Sequence, residues 1–186
     1  MTEPTKKIDR TWLIVAAGFL VFWFGFLLFF GPRSPSNLPV PRLENTDLVH
    51  PADYAWRLVD LEGKTVEFSE FKGKPVFLNI WATWCGPCVM EFPTIARLAA
   101  DAKLADVSFV CVATDESAEP VKRFMKDKAW SMTVLRANEV PPVFSTEGIP
   151  ATFLIARDGR IAASEMGAAA WDDPSVVAFL AKLAQK

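Results

Sequence analysis

The sequence predicts an α/β domain, a mixed β-sheet with helices on both faces, preceded by one transmembrane helix. Three observations lead to this prediction. Apolar runs of strand length alternate with segments of helical periodicity from residue 56 onward. A long uncharged segment lies near the N terminus. About 135 to 140 residues remain after that segment and its linker, enough for one domain with its own core.

Composition and charge exclude several classes of protein. The 186 residues include 20 Lys and Arg against 22 Asp and Glu, and the formal net charge is -2. This balance gives no electrostatic basis for binding nucleic acid. A hydrophobic fraction of 51% argues against global disorder, and 3 cysteines are too few for a disulfide scaffold.

The predicted transmembrane helix covers Trp12–Phe30, a run of 19 residues without a charged side chain. As a helix it would span roughly 28 Å at ~1.5 Å per residue, close to the thickness of a bilayer core. A cleaved signal peptide is the alternative interpretation. The apolar run is longer than the usual core of such a peptide, and Ser34-Pro35-Ser36 is a poor cleavage site.

The charges that flank this helix favour, modestly, an N terminus in the cytoplasm. Three basic residues precede it (Lys6, Lys7 and Arg10), whereas two follow it (Arg33 and Arg42). The segment Gly31–Pro41 contains four prolines and no hydrophobic periodicity, which is typical of an extended linker. We therefore expect a single-pass protein of the cytoplasmic membrane whose domain lies outside the cytoplasm. Its parts are a cytoplasmic segment (1–11), the helix (12–30), a Pro-rich tether (31–46) and the folded domain (47–186).

The first half of the domain begins with two short alternating runs around Glu62-Gly63, which predict a β-hairpin. Continuous apolar runs then predict strands buried on both faces, and apolar residues at helical spacing predict the helices between them. The predicted elements are the hairpin strands Trp56–Asp60 and Thr65–Phe68, the strand Pro75–Ile80, a helix carrying Met90, Ile95, Leu98 and Ala99, the strand Val107–Ala113 and the helix Ser117–Lys128.

The second half continues with strands and closes with a helix. Asp158-Gly159 predicts a turn between two strands, and Asp173 followed by Pro174 predicts the N-cap and first residue of the terminal helix. The predicted strands are Ser131–Arg136, Ala151–Ala156 and Ile161–Ser164. This order of strands and helices requires a mixed sheet.

The chemistry is concentrated in Trp84-Cys85-Gly86-Pro87-Cys88, directly after a buried strand and at the start of a helix. The unpaired N–H groups of a helix N terminus stabilise a thiolate, so Cys85 is the expected nucleophile. Two intervening residues bring Cys88 close enough to attack a mixed disulfide. The pair therefore predicts a redox-active disulfide between Cys85 and Cys88.

Two alternative roles for Cys85 and Cys88 are half of a zinc site and a pair of structural cysteines. A zinc site would need two more ligands, and only Cys111 and His50 are left to supply them. Cys111 lies in a predicted buried strand, where a free cysteine usually behaves as a small hydrophobic residue. His50 is more typical of a solvated linker residue. We expect no metal and no cofactor.

The sequence resembles the thioredoxin superfamily in two stretches, PVFLNIWATWCGPCVMEFP (Pro75–Pro93) and GIPATFLIARDGRI (Gly148–Ile161). It is similar in particular to the membrane-tethered, extracytoplasmic TlpA/ResA-like thiol-disulfide oxidoreductases. The resemblance implies a thioredoxin-like fold with an added N-terminal hairpin and an inserted helix and strand. It also implies a cis peptide bond at Ile149-Pro150, next to Cys85.

The resemblance adds expectations for individual side chains. Cytosolic thioredoxins carry an Asp six residues before the first cysteine, but here that position is Asn79, which cannot relay a proton. This branch often places an acid where Glu91 stands, so Glu91 is a candidate acceptor for the proton of Cys88. The alternative is an ordinary glutamate that interacts with the helix dipole.

The tryptophans are expected to divide between the surface and the core. Trp84, beside the nucleophile, is expected to form the partner-docking surface together with Ile149 and Pro150. Trp81 is expected to pack in the scaffold, and Trp130 and Trp171 in the core or at its rim.

The most favoured function is reduction of disulfides in extracytoplasmic proteins, such as those of cytochrome c or copper-site maturation. The expected partners are client proteins with disulfides or thiols and a membrane electron carrier that supplies the electrons. Two alternatives stay open: a disulfide oxidase or isomerase, and a module that binds Cu(I) through Cys85 and Cys88. Client specificity is expected in loops, including the insert Asn138–Thr146.

Overall fold

The structure, a computed structural model, describes residue 19, residues 38–43 and residues 51–185. The chain divides into two units, residues 1–36 and 37–186, and every element given below belongs to the second. Within the described residues, no helix has the length and apolar character needed to cross a membrane. The predicted segments 1–11 and 12–30, apart from Phe19, lie outside the described residues, as do His50 and parts of the predicted tether.

Seven strands and three α-helices form the described domain. The strands are β1 (Arg57–Val59), β2 (Thr65–Glu67), β3 (Val76–Trp81), β4 (Ser108–Ala113), β5 (Thr133–Arg136), β6 (Ala151–Ile155) and β7 (Ile161–Met166). The helices are α1 (Gly86–Ala99), α2 (Ala118–Met125) and α3 (Pro174–Ala184). Short 3-10 helices cover Phe68–Phe71, Ala102–Leu104 and Pro142–Phe144.

The strands make one mixed sheet in the order β2-β1-β5-β4-β3-β6-β7. The three central strands β5, β4 and β3 are parallel, while the pairs β1–β2, β1–β5, β3–β6 and β6–β7 are antiparallel. Asn79 in the middle of β3 therefore stands between two register partners, Cys111 on β4 and Thr152 on β6. This is the architecture that the resemblance implies, including the N-terminal hairpin and the inserted α2 and β5.

The side chains of the sheet alternate between two apolar cores, as the two-residue period of a strand requires. On one face, Phe77 and Trp81 of β3 pack with buried residues of all three α-helices. On the other face, Leu78 and Ile80 pack with Phe68 and Phe144, which belong to the 3-10 helices. Helices thus cover both faces, as predicted, but those on the second face are single 3-10 turns.

Two details of the helices differ from the sequence prediction, the end of α2 and the exposure of one residue on α1. Helix α2 ends at Met125 and not at Lys128, because Lys126 has an extended ψ of 135° and Asp127 a φ of 61°. The helical spacing predicts that Met90 shares the apolar face of α1, yet its side chain is 58% exposed. Its position on the helix directs it away from the face that carries Phe92 and Ile95, which are fully buried.

Phe68 anchors the second core and gives a direct test of it. Its ring is fully buried and lies 5.7 Å from the ring of Trp56 and 5.9 Å from that of Phe144. Phe68→Ala is therefore expected to lower the free energy of unfolding by about 3 to 5 kcal/mol in chemical denaturation. The control Lys64→Ala changes an exposed residue and should stay within about 0.5 kcal/mol of the parent. A loss below about 1 kcal/mol for Phe68→Ala would contradict this account of the core.

Candidate active site

Cys85 and Cys88 lie at the point where β3 passes into α1, at the end of the central sheet. They form a disulfide with an S–S distance of 2.12 Å. Cys85 is the N-cap of α1, and its Sγ accepts a hydrogen bond of 3.2 Å from the backbone N–H of Cys88. Gly86 and Pro87 form the first turn of the helix between them. A thiolate on Cys85 would thus meet the positive end of the helix dipole and an N–H donor already in place.

The surface beside the disulfide is partly apolar and carries the cis proline. The Ile149-Pro150 peptide bond is cis, as the resemblance implies, and the Ile149 carbonyl oxygen lies 3.6 Å from Cys85 Sγ. Trp84 is 72% exposed next to Cys85, which itself is only 6% exposed. The exposed Trp84 and the Ile149 backbone therefore lie beside the Cys85 sulfur.

The loop that leads into the motif is held by a buried carboxylate. Asp115, which follows β4, accepts a hydrogen bond of 3.0 Å from the Thr83 backbone N–H and one of 2.5 Å from the Thr83 hydroxyl. Its own backbone carbonyl accepts a bond of 2.7 Å from Arg136 of β5. These bonds tie the residue before Trp84 to two strands of the sheet, which fixes the start of the motif.

Glu91 is fully buried, one helical turn after Cys88. Its Oε2 accepts hydrogen bonds from the backbone N–H of Ala169 (3.0 Å) and from the indole N–H of Trp171 (2.8 Å). Its Oε1 accepts a bond of 2.9 Å from the side-chain amide of Asn79. The carboxylate is thus held by donors from β3 and from the segment between β7 and α3.

Burial raises the pKa of Glu91 from 4.5 to about 7, although the hydrogen bonds from Trp171, Ala169 and Asn79 each act to lower it. Removal from water disfavours the charged form more strongly than the donors favour it. Near neutral pH the group can therefore both take up and release a proton, as a general acid or base must.

Cys111 responds to the same environment. It is a free cysteine, fully buried in β4, and its pKa is raised by burial and then by the charge of Glu91. A thiol with a raised pKa stays protonated and unreactive. Cys111 fits the predicted role of a small hydrophobic residue.

The sequence does not predict the roles of three side chains in this network, Asn79, Thr152 and Trp171. Asn79 was noted only as a residue unable to relay a proton, yet its amide also donates a 2.9 Å bond to the Thr152 hydroxyl. Trp171 was assigned to the core or its rim, and it is indeed buried, but its indole N–H binds Glu91. The one available signal is a polar residue inside each apolar strand, Asn79 in β3 and Thr152 in β6.

Trp81 and Trp130 lie in the core and at its edge, and candidate metal ligands do not cluster among the described residues. Trp81 is fully buried and lies 4.1 Å, ring to ring, from Phe92, whereas Trp130 is half-buried against the same cluster. Among the described residues, no group of three or more His, Cys, Asp and Glu side chains is arranged to hold a metal ion.

Comparison with known proteins shows which family the chain belongs to. The Redoxin family model matches residues 39–180, most of the chain. The chain belongs to the Redoxin family. It is 37% identical over 106 residues to the thiol-disulfide oxidoreductase ResA of Bacillus thuringiensis subsp. konkukian and 39% identical over 106 residues to ResA of Bacillus subtilis. These alignments cover 56% of this chain and 61% and 59% of the two relatives, so the chain spans about three fifths of the length of each.

Solved structures of other proteins share the fold. A thiol:disulfide interchange protein of the thioredoxin family from Chlorobium tepidum matches with a TM-score of 0.59 and 26% identity, over 71% of this chain and 97% of that one. DsbF of Mycobacterium tuberculosis matches with a TM-score of 0.60 and 25% identity, over 72% and 98% of the two chains. The domain has the thioredoxin-like fold, and its Cys85–Cys88 pair together with these relatives supports a thiol-disulfide redox role.

The buried Glu91 predicts a specific pH dependence of stability in the oxidised protein, where Cys85 and Cys88 do not titrate. Between about pH 4.5 and about pH 7, the folded protein keeps a proton at Glu91 that the unfolded chain has released. The free energy of unfolding therefore falls as the pH rises through this range. Glu91 alone accounts for a loss of about 3 kcal/mol, from the gap between 4.5 and about 7 at ~1.4 kcal/mol per pH unit.

Chemical denaturation of the oxidised protein at several pH values, in parallel with Glu91→Gln, measures this contribution. The parent should lose stability relative to Glu91→Gln between pH 4.5 and about pH 7, because glutamine carries no titrating proton. A constant difference between the two proteins over that range would show that Glu91 titrates normally.

Proposed function

We propose that the protein is a thiol-disulfide oxidoreductase that reduces disulfides in client proteins outside the cytoplasm, anchored in the cytoplasmic membrane by its own helix. The observation that carries the proposal is the Cys85–Cys88 disulfide at the head of α1, beside the cis Pro150 and above the buried Glu91. The relatives named thiol-disulfide oxidoreductase ResA support the same activity.

The reaction begins from the reduced protein. The Cys85 thiolate attacks one sulfur of the client disulfide, so a Cys85–client bond forms and the client disulfide breaks, releasing one client thiolate. Cys88 then attacks Cys85 Sγ, which forms the Cys85–Cys88 disulfide and releases the second client thiolate. Two electrons have passed from the protein to the client, whose thiolates take up two protons.

Glu91 serves the second step. Cys88 is fully buried, so its thiol cannot lose its proton directly to bulk water, and it must become a thiolate before it attacks. Glu91 follows one turn later on the same helix, and with a pKa of about 7 its carboxylate is basic enough to accept that proton near neutral pH. The proton then leaves from Glu91 once the disulfide has formed.

The client is expected to lie along Trp84 and the Ile149 backbone. An extended chain placed there can pair with the backbone before the cis proline while its disulfide meets Cys85 Sγ. The apolar face of Trp84 adds sequence-tolerant contact area. The resemblance points to apocytochrome c or copper-site proteins as clients.

The dipeptide between the cysteines supports the proposed direction of electron flow. Gly86-Pro87 is the pair found in thioredoxins, whose potential lies near ~-270 mV, against ~-120 mV for the strong periplasmic oxidant DsbA. This gap is about 7 kcal/mol for two electrons, which favours reduction. Because the outer compartment is oxidising, the disulfide must be re-reduced by a dithiol electron carrier in the membrane.

The roles of the two cysteines can be separated by trapping. Cys88→Ser leaves the nucleophile but removes the resolving thiol, so mixed disulfides with clients should accumulate on non-reducing gels. Cys85→Ser should abolish turnover without trapping, and Cys111→Ser, the matched control, should behave like the parent. Equal trapping by Cys85→Ser and Cys88→Ser would overturn the assignment.

The redox potential tests the proposed direction. Equilibration with dithiothreitol or glutathione, read by thiol alkylation and by tryptophan fluorescence, should give a two-electron potential below about -250 mV. A potential above about -180 mV would favour the oxidase or isomerase, and absence of a reversible disulfide would favour Cu(I) binding.

A further inference from the structure

Three consecutive backbone N–H groups between β7 and α3 point to three different partners. Ala169 donates to Glu91 Oε2 at 3.0 Å, and Trp171 donates to the Thr94 hydroxyl at 3.2 Å, so both bind residues of α1. The N–H between them, that of Ala170, donates instead to the carbonyl oxygen of Pro39 at 2.9 Å. The tripeptide that holds Glu91 is thus itself held from outside by the chain that precedes the domain.

This preceding segment, residues 38–43, makes further contacts with the domain. The Arg42 backbone N–H donates to Glu165 Oε2 of β7 at 2.9 Å. Pro41 is buried, and the Leu43 side chain packs against the core that contains Cys85, Cys88 and Trp171. The sequence places residues 31–46 in a tether, whereas these six residues lie on the domain like a strap.

We propose that the strap, residues 38–43, positions the redox site by pressing the segment Ala169–Trp171 onto the Glu91 carboxylate. Glu165 binds the strap at the Arg42 N–H, Leu43 packs against the core at the next residue, and Pro39 presents its carbonyl oxygen to Ala170. The two donors to Glu91 Oε2 then keep the distances that favour the carboxylate. Leu43, Glu165 and the strap backbone act through Ala169 and Trp171, so they are positioning residues. The functional part of this inference rests on the proposed role of Glu91.

The proposed effect of the strap on Glu91 is separate from that of the titratable and polar side chains near the carboxylate. Among the described residues, the titratable group recorded as interacting with Glu91 is Cys111 on β4, whereas Cys88, one turn earlier on α1, is held in the disulfide and does not titrate in the oxidised protein. The β3 and β6 side chains in the network, Asn79 and Thr152, do not titrate. Asp172, next to Trp171, is held in a surface ion pair with Arg97 at 2.6 Å.

The test compares variants of the full-length oxidised protein. Glu165→Ala removes the acceptor for Arg42, whereas Glu165→Gln keeps an acceptor oxygen and should behave like the parent. Leu43→Ala removes most of the apolar contact between the strap and the core. Glu62→Ala, which changes an exposed glutamate in the distant β1–β2 turn, is the control. None of these side chains belongs to the catalytic machinery.

The first readout is hydrogen exchange at the amides of residues 169–171. Glu165→Ala and Leu43→Ala should each lose about the stabilisation that one hydrogen bond contributes. Hydrogen exchange at the Ala170 amide should therefore be about 3- to 10-fold faster in both variants. The second readout is the midpoint of the Glu91 carboxyl titration by carbon-13 NMR. It should move upward in the same two variants, because weaker donors favour the carboxylate less.

The outcomes separate the strap from the proposed function. Unchanged exchange in both variants, or faster exchange with an unmoved Glu91 midpoint, overturns the positioning role. Failure of the parent protein to exchange disulfides would overturn the proposed function, and the strap would still be decided by exchange and titration alone.

Discussion

The burial of one carboxylate organises the site. A charged carboxyl group inside an apolar core costs several kcal/mol unless donors surround it. Glu91 obtains its donors from Asn79 on β3 and from Ala169 and Trp171 after β7, while Asn79 is bonded in turn to Thr152 on β6. These bonds require the sheet, α1 and the segment before α3 to keep fixed relative positions. The same requirement fixes the place of Cys88, one turn earlier on α1.

This constraint connects the fold to the chemistry. The helix N terminus and the Cys88 N–H stabilise a thiolate on Cys85, which is 6% exposed, whereas the proposed attack by the fully buried Cys88 requires a nearby base. In the proposed reaction Glu91 is that base, because burial, opposed but not cancelled by its three donors, leaves its pKa near neutrality at about 7. The exposed Trp84 and the Ile149 carbonyl, 3.6 Å from Cys85 Sγ, form the surface where the proposed client disulfide would reach the sulfur.

Local signals in the sequence predict the parts of this site that depend on short-range geometry. The Cys85–Cys88 spacing, the apolar runs of β3 and β4 and the Asp173 cap each involve neighbouring residues, and each appears in the structure. The network around Glu91 joins residues 12 to 80 positions apart, so no local pattern reveals it. The sequence does not reveal the strap for a similar reason. A proline-rich segment is typical of a linker, and only the tertiary contacts with Ala170 and Glu165 show that this one lies against the domain.

The most direct test of the account is a carbon-13 NMR titration of the Glu91 carboxyl group in the oxidised and the reduced protein, with the signal assigned by Glu91→Gln. The account predicts a midpoint of about pH 7 in the oxidised protein. It predicts a higher midpoint in the reduced protein, because thiolate charge nearby disfavours a second negative charge. A midpoint near 4.5, or the same midpoint in both redox states, would contradict it.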